Sequence, residues 1–198
     1  MGAVRLAEAD VPRAAGLIAR AFDEDPLLVH MLPDPQERER LGPVHVAPVL
    51  RMCTRHGSTW RTESFDAVAA WMPPDAWPPD PEWTEACGYD EAAAVIGSEA
   101  LARFRDVYGI VDHAHERAVP EPHWVLYLVG TEPERQRRGA ASAALAPVLE
   151  RATQDAAPCY LETFIERNLA FYERHGFEVV VEGRHDATGI CAWGMLRR

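Results

Sequence analysis

Val129-Gly130-Thr131-Glu132-Pro133-Glu134-Arg135-Gln136-Arg137-Arg138-Gly139-Ala140-Ala141-Ser142 is the stretch on which the reading of this chain turns. An apolar run of strand length, Trp124 to Val129, feeds it. A helical pattern over 139–152, with Leu145, Val148, Leu149 and Ala152 inward, follows at once. The first amides of such a helix lack intrahelical partners and carry the positive end of its dipole, so they hold a phosphate without help from a lysine. Gly139, Ala140, Ala141 and Ser142 keep bulk away from those amides, and Arg137 and Arg138 add flanking charge. Taken alone, strand–glycine–helix is a weak signal, because the same turn also serves purely structural ends.

Working outward, the whole chain supplies no lysine: all 20 of its basic residues are arginine, which a G-C-rich coding genome explains. A Walker A loop, a Schiff-base lysine for pyridoxal phosphate and a protein-kinase strand lysine are thereby excluded. With 31 acidic residues the net charge is −11, which argues against nucleic acid and anionic lipid as partners and mildly favours a cationic substrate. The 198 residues suit one domain. Cys53, Cys87, Cys159 and Cys191 show no CxxC spacing and read as reduced thiols of a cytoplasmic protein. No run approaches the ~18 apolar residues that span a membrane.

The remaining punctuation gives the order of elements. A short strand at Val4-Arg5-Leu6 precedes a helix capped by Asp10, with Val11, Ala14, Ala15, Ile18 and Phe22 on one face. Helices are expected over 27–31 and 38–55, then strands over 59–63 and 67–72. Five prolines within Pro73–Pro81 require an extended loop. Residues 82–116 read as helical with breaks at Gly88 and Gly97, so about 73–118 forms a helical insert within a single domain. Strands over 160–164, 177–182 and 190–195, with a helix from Asn168 to His175 ended by Gly176, complete an α/β chain with a mixed sheet.

Gln136-x-x-Gly139-x-Ala141 resembles the Q/R-x-x-G-x-G/A signature of the GNAT acetyltransferase superfamily. Asn168-Leu169-Ala170-Phe171-Tyr172-Glu173-Arg174-His175-Gly176-Phe177 resembles its second motif, N-x-x-x-FY-x-x-x-GF. One departure is Ala141 at the second glycine of the loop. Within the superfamily the chain is similar to the actinobacterial puromycin N-acetyltransferase-like enzymes. That likeness rests on Val4-Arg5-Leu6-Ala7 with Asp10-Val11-Pro12-Arg13-Ala14, Trp124, Pro147 inside the cofactor helix, Leu161-Glu162-Thr163 and Arg167-Asn168-Leu169. It is densest over 124–177 and poor over 73–118, the part that shapes the acceptor pocket, so puromycin itself is not implied.

The resemblance implies a mixed sheet of about seven strands flanked by helices, with a splay between strands four and five. It implies acetyl-CoA as co-substrate, no metal, and a small-molecule primary amine, an aminonucleoside or other antibiotic-like amine, as acceptor for direct attack. Val129 and Thr131 would offer backbone groups to the pantetheine arm. Gln136, Arg137, Arg138, Gly139, Ala140, Ala141 and Ser142 would form the pyrophosphate loop, and Asn168 would hydrogen-bond the cofactor or serve as a plain helix N-cap. Tyr172 would protonate the departing thiolate, or else be a core aromatic beside Phe171. For the general base, Glu162 and Tyr127 are the candidates; an arginine pairing for Glu162 and removal of the proton through water are the competing readings.

Other features weigh less. His113, His115, Glu116 and His123 hint at metal ligation, but residues two apart on a helix point to opposite sides, so surface histidines are the better reading. Trp71, Trp77 and Trp83 either line an acceptor pocket or pack in the core. Asp23, Glu24 and Asp25 either meet a cationic acceptor or solvate a helix end. Ser142 lacks the glycines of a nucleophile elbow. A protein or peptide amine as acceptor, and an acyl-CoA-binding module without turnover, are the alternatives. A dinucleotide-binding domain fails for want of GxGxxG after a first strand. The chain is expected to be a monomer or homodimer.

Overall fold

The computed structural model describes residues 2–198, except for the side chains of His113 and Glu116. Seven strands form one sheet: β1 (Ala3–Arg5), β2 (Thr59–Thr62), β3 (Ala67–Met72), β4 (Trp124–Thr131), β5 (Cys159–Thr163), β6 (Glu178–Arg184) and β7 (Cys191–Arg197). Their spatial order is β1-β2-β3-β4-β5-β7-β6, and every neighbouring pair is antiparallel except β4–β5. The helices are α1 (Val11–Ala21), α2 (Pro26–Met31), α3 (Pro35–Arg55), α4 (Pro81–Ala86), α5 (Tyr89–Ile96), α6 (Ser98–Ala118), α7 (Ala140–Gln154) and α8 (Leu169–Glu173).

Both faces of the sheet are covered, so its central strand reads as a continuous apolar run rather than an alternation. All six residues of β3 are buried. Val68, Ala70 and Met72 join the cluster built on α1 and α3, whereas Ala67, Ala69 and Trp71 join the cluster beneath α7. Trp71 is therefore core on the α7 side and lines no acceptor pocket. Trp83 lies outside as well, stacked on His56 with ring centroids 4.6 Å apart.

The helix starts show where local sequence decided and where it did not. Three Asp-Pro pairs open helices. Asp25 accepts from the amides of Leu27 and Leu28 at 2.9 and 3.2 Å, and Asp34 from Gln36 and Glu37 at 2.8 and 2.9 Å. Asp80 accepts from Glu82 at 2.7 Å. Asp10 does not cap α1: it already lies in a helical conformation within a 3-10 turn, and its carboxylate caps nothing. The expected breaks at Gly88 and Gly97 are present, each with φ near +90° (85° and 91°).

The helices between β3 and β4 reach the sheet through α6. α6 packs across β6 and β7 and against α2, and a Cβ on Gly183 would lie 2.3 Å from Cγ2 of Ile110. Its apolar face, Val107 and Val111, shares a cluster with Leu27, Phe164 and Ala192. This placement brings α6 alongside β5.

Candidate active site

The pairing of β4 with β5 runs only from Trp124↔Cys159 to Leu126↔Leu161. Beyond it β4 continues to Thr131 against β3 alone, and β5 continues through Glu162 and Thr163 against β7 alone. The two strands splay, leaving backbone groups of β4 without a strand partner on that side. A bulge marks the start of the gap. Ala70 opposes Leu128 and Trp71 opposes Leu126, so Tyr127 is the extra residue.

The bulge resets the alternation of side chains. Val125, Tyr127 and Leu128 all pack on the α1–α3 side, whereas Leu126 and Val129 pack on the α7 side. Gly130 sits where α1 crosses the strand, and a Cβ there would meet Ala21 and Ile18 at 2.9 Å. Because β4 and β5 are parallel, the loops that follow them lie at one end of the sheet, and both lead into helix starts. That topology brings the 136–142 loop and Asn168 to the same end.

Residues 133–139 are exposed. Arg137 and Gly139 are left-handed, with φ of 63° and 81°, and α7 starts at Ala140 with no side-chain cap. Nothing lies within 4 Å of a Cβ built on Gly139, so the space over the first amides of α7 is open. Among the described residues Arg137 and Arg138 form no ion pair, while Arg135 approaches Asp66 at 3.9 Å. Open amides, a helix N-terminus and unpaired guanidinium groups fit the pyrophosphate of a coenzyme A ester. Asn168 does not cap α8 with its side chain, which leaves its amide uncommitted.

Tyr172, on α8, is 6% exposed and belongs to the cluster under α7, edge-on to Phe171 and Phe177 with centroids 5.2 and 6.2 Å away. Burial, and then the charge of Asp25, raise its pKa above the usual phenol range, so it keeps its proton and has an O–H to donate. Asp25 is itself raised to about 6 by burial, against the bonds it accepts from Leu28 and Leu27. The other acidic residues of that turn are engaged too: Asp23 pairs with Arg38 at 2.9 Å and Glu24 with Arg167 at 3.7 Å.

Glu162 points to the opposite side of the sheet from Leu161, alongside Tyr160 two residues earlier. Among the described residues no arginine pairs with it, and Nδ1 of His115 lies 3.9 Å from Oε1. Oε1 is buried without a hydrogen-bond partner, as is the Tyr160 hydroxyl. Burial raises the Glu162 pKa to about 7. Asp112 adds to the rise, and the Tyr108 and Tyr160 hydroxyls oppose it. Tyr127, half-buried and with its pKa raised chiefly by desolvation, lies within the field of Glu162.

Aromatic rings wall this side. Trp77 stacks on His115 at 4.7 Å and tilts against Tyr127 at 5.8 Å; His115 stacks on Tyr160 at 3.9 Å. Of the three tryptophans of the proline region, Trp77 alone reaches this group. His115 and His123 are 3% and 2% exposed, so they are not surface histidines. Their Nε2 atoms face each other at 2.8 Å. The described residues contain no cluster able to hold a metal ion, and the side chains of His113 and Glu116 from that motif lie outside the described residues. Sequence reading missed Tyr108, Asp112 and the buried place of His115. The signal was present, since 108, 112 and 115 stand at i, i+4 and i+7 on one helical face.

A seven-stranded sheet splayed at its parallel pair, with a helix N-terminus open at the splay, defines an acyl-CoA-dependent transferase fold. The acetyltransferase (GNAT) family model matches residues 52–177, and the chain belongs to that family, as an N-acyltransferase whose co-substrate in the family is acetyl-CoA. Similar solved structures agree on the fold. The histone acetyltransferase HPA2 and related acetyltransferase from Corynebacterium glutamicum is 21% identical, with 99% of this chain and 94% of that one covered at a TM-score of 0.62. A polyamine N-acetyltransferase from Drosophila melanogaster is 13% identical, covering 98% and 97%, at 0.61. A mosquito (Aedes aegypti) protein named arylalkylamine N-acetyltransferase 7 is 11% identical, covering 99% and 86%, at 0.70. Among the described residues no helix is long and apolar enough to cross a membrane.

Proposed function

We propose that this protein moves the acetyl group of acetyl-CoA to the primary amine of a small molecule, by direct attack in a ternary complex in the cytoplasm. The observation that carries the reading is the buried, unpartnered Oε1 of Glu162 at the mouth of the splay, walled by Trp77, Tyr108, Tyr127 and Tyr160. The amine arrives as an ammonium ion and must lose a proton before it can attack a thioester. A carboxyl group titrating near 7 takes that proton at neutral pH. The aromatic wall suits an amine carried on an aromatic or apolar body, as in an aminonucleoside or other antibiotic-like molecule.

On the other side of the gap, the Gln136–Ser142 loop and Asn168 hold the coenzyme, with Val129 and Thr131 offering backbone groups to its arm. Tyr172, which keeps its proton, donates it as the thiolate leaves. Similar folds named for polyamine and arylalkylamine acetylation support a small amine over a protein amine. The test is a panel of aryl, nucleoside and polyamine amines with acetyl-CoA and a free-thiol readout. Thiol release with small amines supports the reading. Release only with peptides would transfer it to a protein acceptor, and binding without release would make the chain an acyl-CoA-binding module.

A further inference from the structure

The histidine pair beside Glu162 has a proton order that geometry fixes. Nδ1 of His123 lies 2.7 Å from the carbonyl oxygen of Glu121. A carbonyl only accepts, so His123 carries its proton on Nδ1, and in the uncharged pair its Nε2 is bare. Two facing nitrogens at 2.8 Å share one proton, so His115 must be the donor, through Nε2–H. The remaining nitrogen of His115, Nδ1, is then bare, and it faces Oε1 of Glu162 at 3.9 Å, a gap that a small turn of the carboxyl group closes.

We propose that His115 and His123 act as positioning residues: a tautomer lock, anchored on the Glu121 carbonyl, that presents a bare imidazole nitrogen to Glu162 and makes it a proton acceptor. The proposal rests on the reading of Glu162 as the base. When Glu162 takes the proton of the ammonium ion, Nδ1 of His115 is the acceptor facing its new O–H. Before that transfer the same lone pair disfavours the ionised carboxylate. The other groups around Glu162 are Tyr108 and Asp112 on α6, Tyr160 on β5 and Tyr127 on β4. Each hydroxyl can donate to the carboxylate, and the Asp112 carboxylate acts on it through charge, so among the described residues the imidazole of His115 is the one uncharged neighbour that is acceptor only at this position. Burial holds the His115 pKa down at about 4, so it stays uncharged through the range in which Glu162 titrates.

The test has two readouts. In the unliganded wild-type protein, imidazole 15N spectra at pH 7 should show His115 protonated on Nε2 and His123 on Nδ1; a proton on Nδ1 of His115 overturns the lock. His115→Phe keeps the stacking on Trp77 and Tyr160 and removes the lone pair. The Glu162 carboxyl titration, followed by 13C, and the acid limb of kcat/KM should both move about one pH unit lower, a tenfold change in proton affinity. His123→Phe should shift both in the same direction. Unmoved titration in both variants overturns the proposal. If Glu162→Gln leaves activity intact, the base assignment fails, while the 13C titration still decides whether the pair governs Glu162.

Discussion

The 136–142 loop and Glu162 meet at the same gap between β4 and β5, yet the first offers backbone amides in the open and the second a side chain enclosed by rings. The loop is exposed, and among the described residues its Arg137 and Arg138 form no ion pair. Glu162 is enclosed, with an oxygen that has no partner. In the proposed function the difference follows from what each would handle. A pyrophosphate is already ionised and needs only dipoles and charge in reach. A proton has to be taken up at neutral pH, which an exposed carboxylate with its ordinary pKa does poorly. Water is therefore admitted on one side and excluded on the other.

That contrast breaks first at Glu162. Glu162→Gln preserves shape and burial and should lower kcat/KM for a small amine by about 10²–10⁴-fold. Affinity for acetyl-CoA, measured by calorimetry, should stay within twofold. Equal loss of both would mean that the two sides are not separable. Tyr172→Phe is expected to have a somewhat smaller effect, roughly 10²-fold on kcat with acetyl-CoA binding unchanged, because the hydroxyl matters as the thiolate leaves. Wild-type kcat in that variant, where chemistry limits the rate, would leave water as the proton source.

On the open side, Gly139→Asn tolerates the left-handed backbone and meets no protein atom, so the fold should persist. The added side chain stands over the first amides of α7. The acetyl-CoA dissociation constant should rise about tenfold, or ~1.4 kcal/mol. Calorimetry showing unchanged affinity would move the pyrophosphate elsewhere.

The same contrast explains what sequence could and could not reveal. The loop was readable because its proposed role lies in backbone geometry, and glycine and small residues at fixed spacing are the imprint of geometry on sequence. The chain order of the elements is local in the same sense; the Asp-Pro helix starts at 25, 34 and 80 are local too, although the expected helices begin at 27, 38 and 82. Nothing local told the face of Glu162, since the packing of β5 between β4 and β7 and the reach of α6 decide it. His113 to Glu116 read as surface histidines because their neighbours were assumed to be solvent, whereas α6 turns His115 under Trp77 and against Tyr160. Asp10 read as a cap because propensity favours it, and the preceding 3-10 turn overrides that preference.

The smallest expected effect is on stability, and it separates the two sides by pH. A carboxyl group raised from 4.5 to about 7 on folding holds a proton that the unfolded chain has released. Its stabilising contribution is complete below pH 4.5 and is lost as the pH rises through 7, because over that window the native state binds more protons than the unfolded one. Glutamine resembles the neutral form at every pH. Glu162→Gln should therefore match wild type near pH 4.5 and exceed it at pH 8 by on the order of 1–3 kcal/mol, read from urea midpoints at the two pH values. Arg138→Gln, on the exposed loop, should stay within about 0.5 kcal/mol at both. A gain at pH 8 for the inactive Gln variant would mark Glu162 as a group kept for chemistry against the interest of the fold. A loss at pH 8 would mean that the carboxylate is well solvated or paired in the folded chain, and the enclosed side would then be no different from the open one.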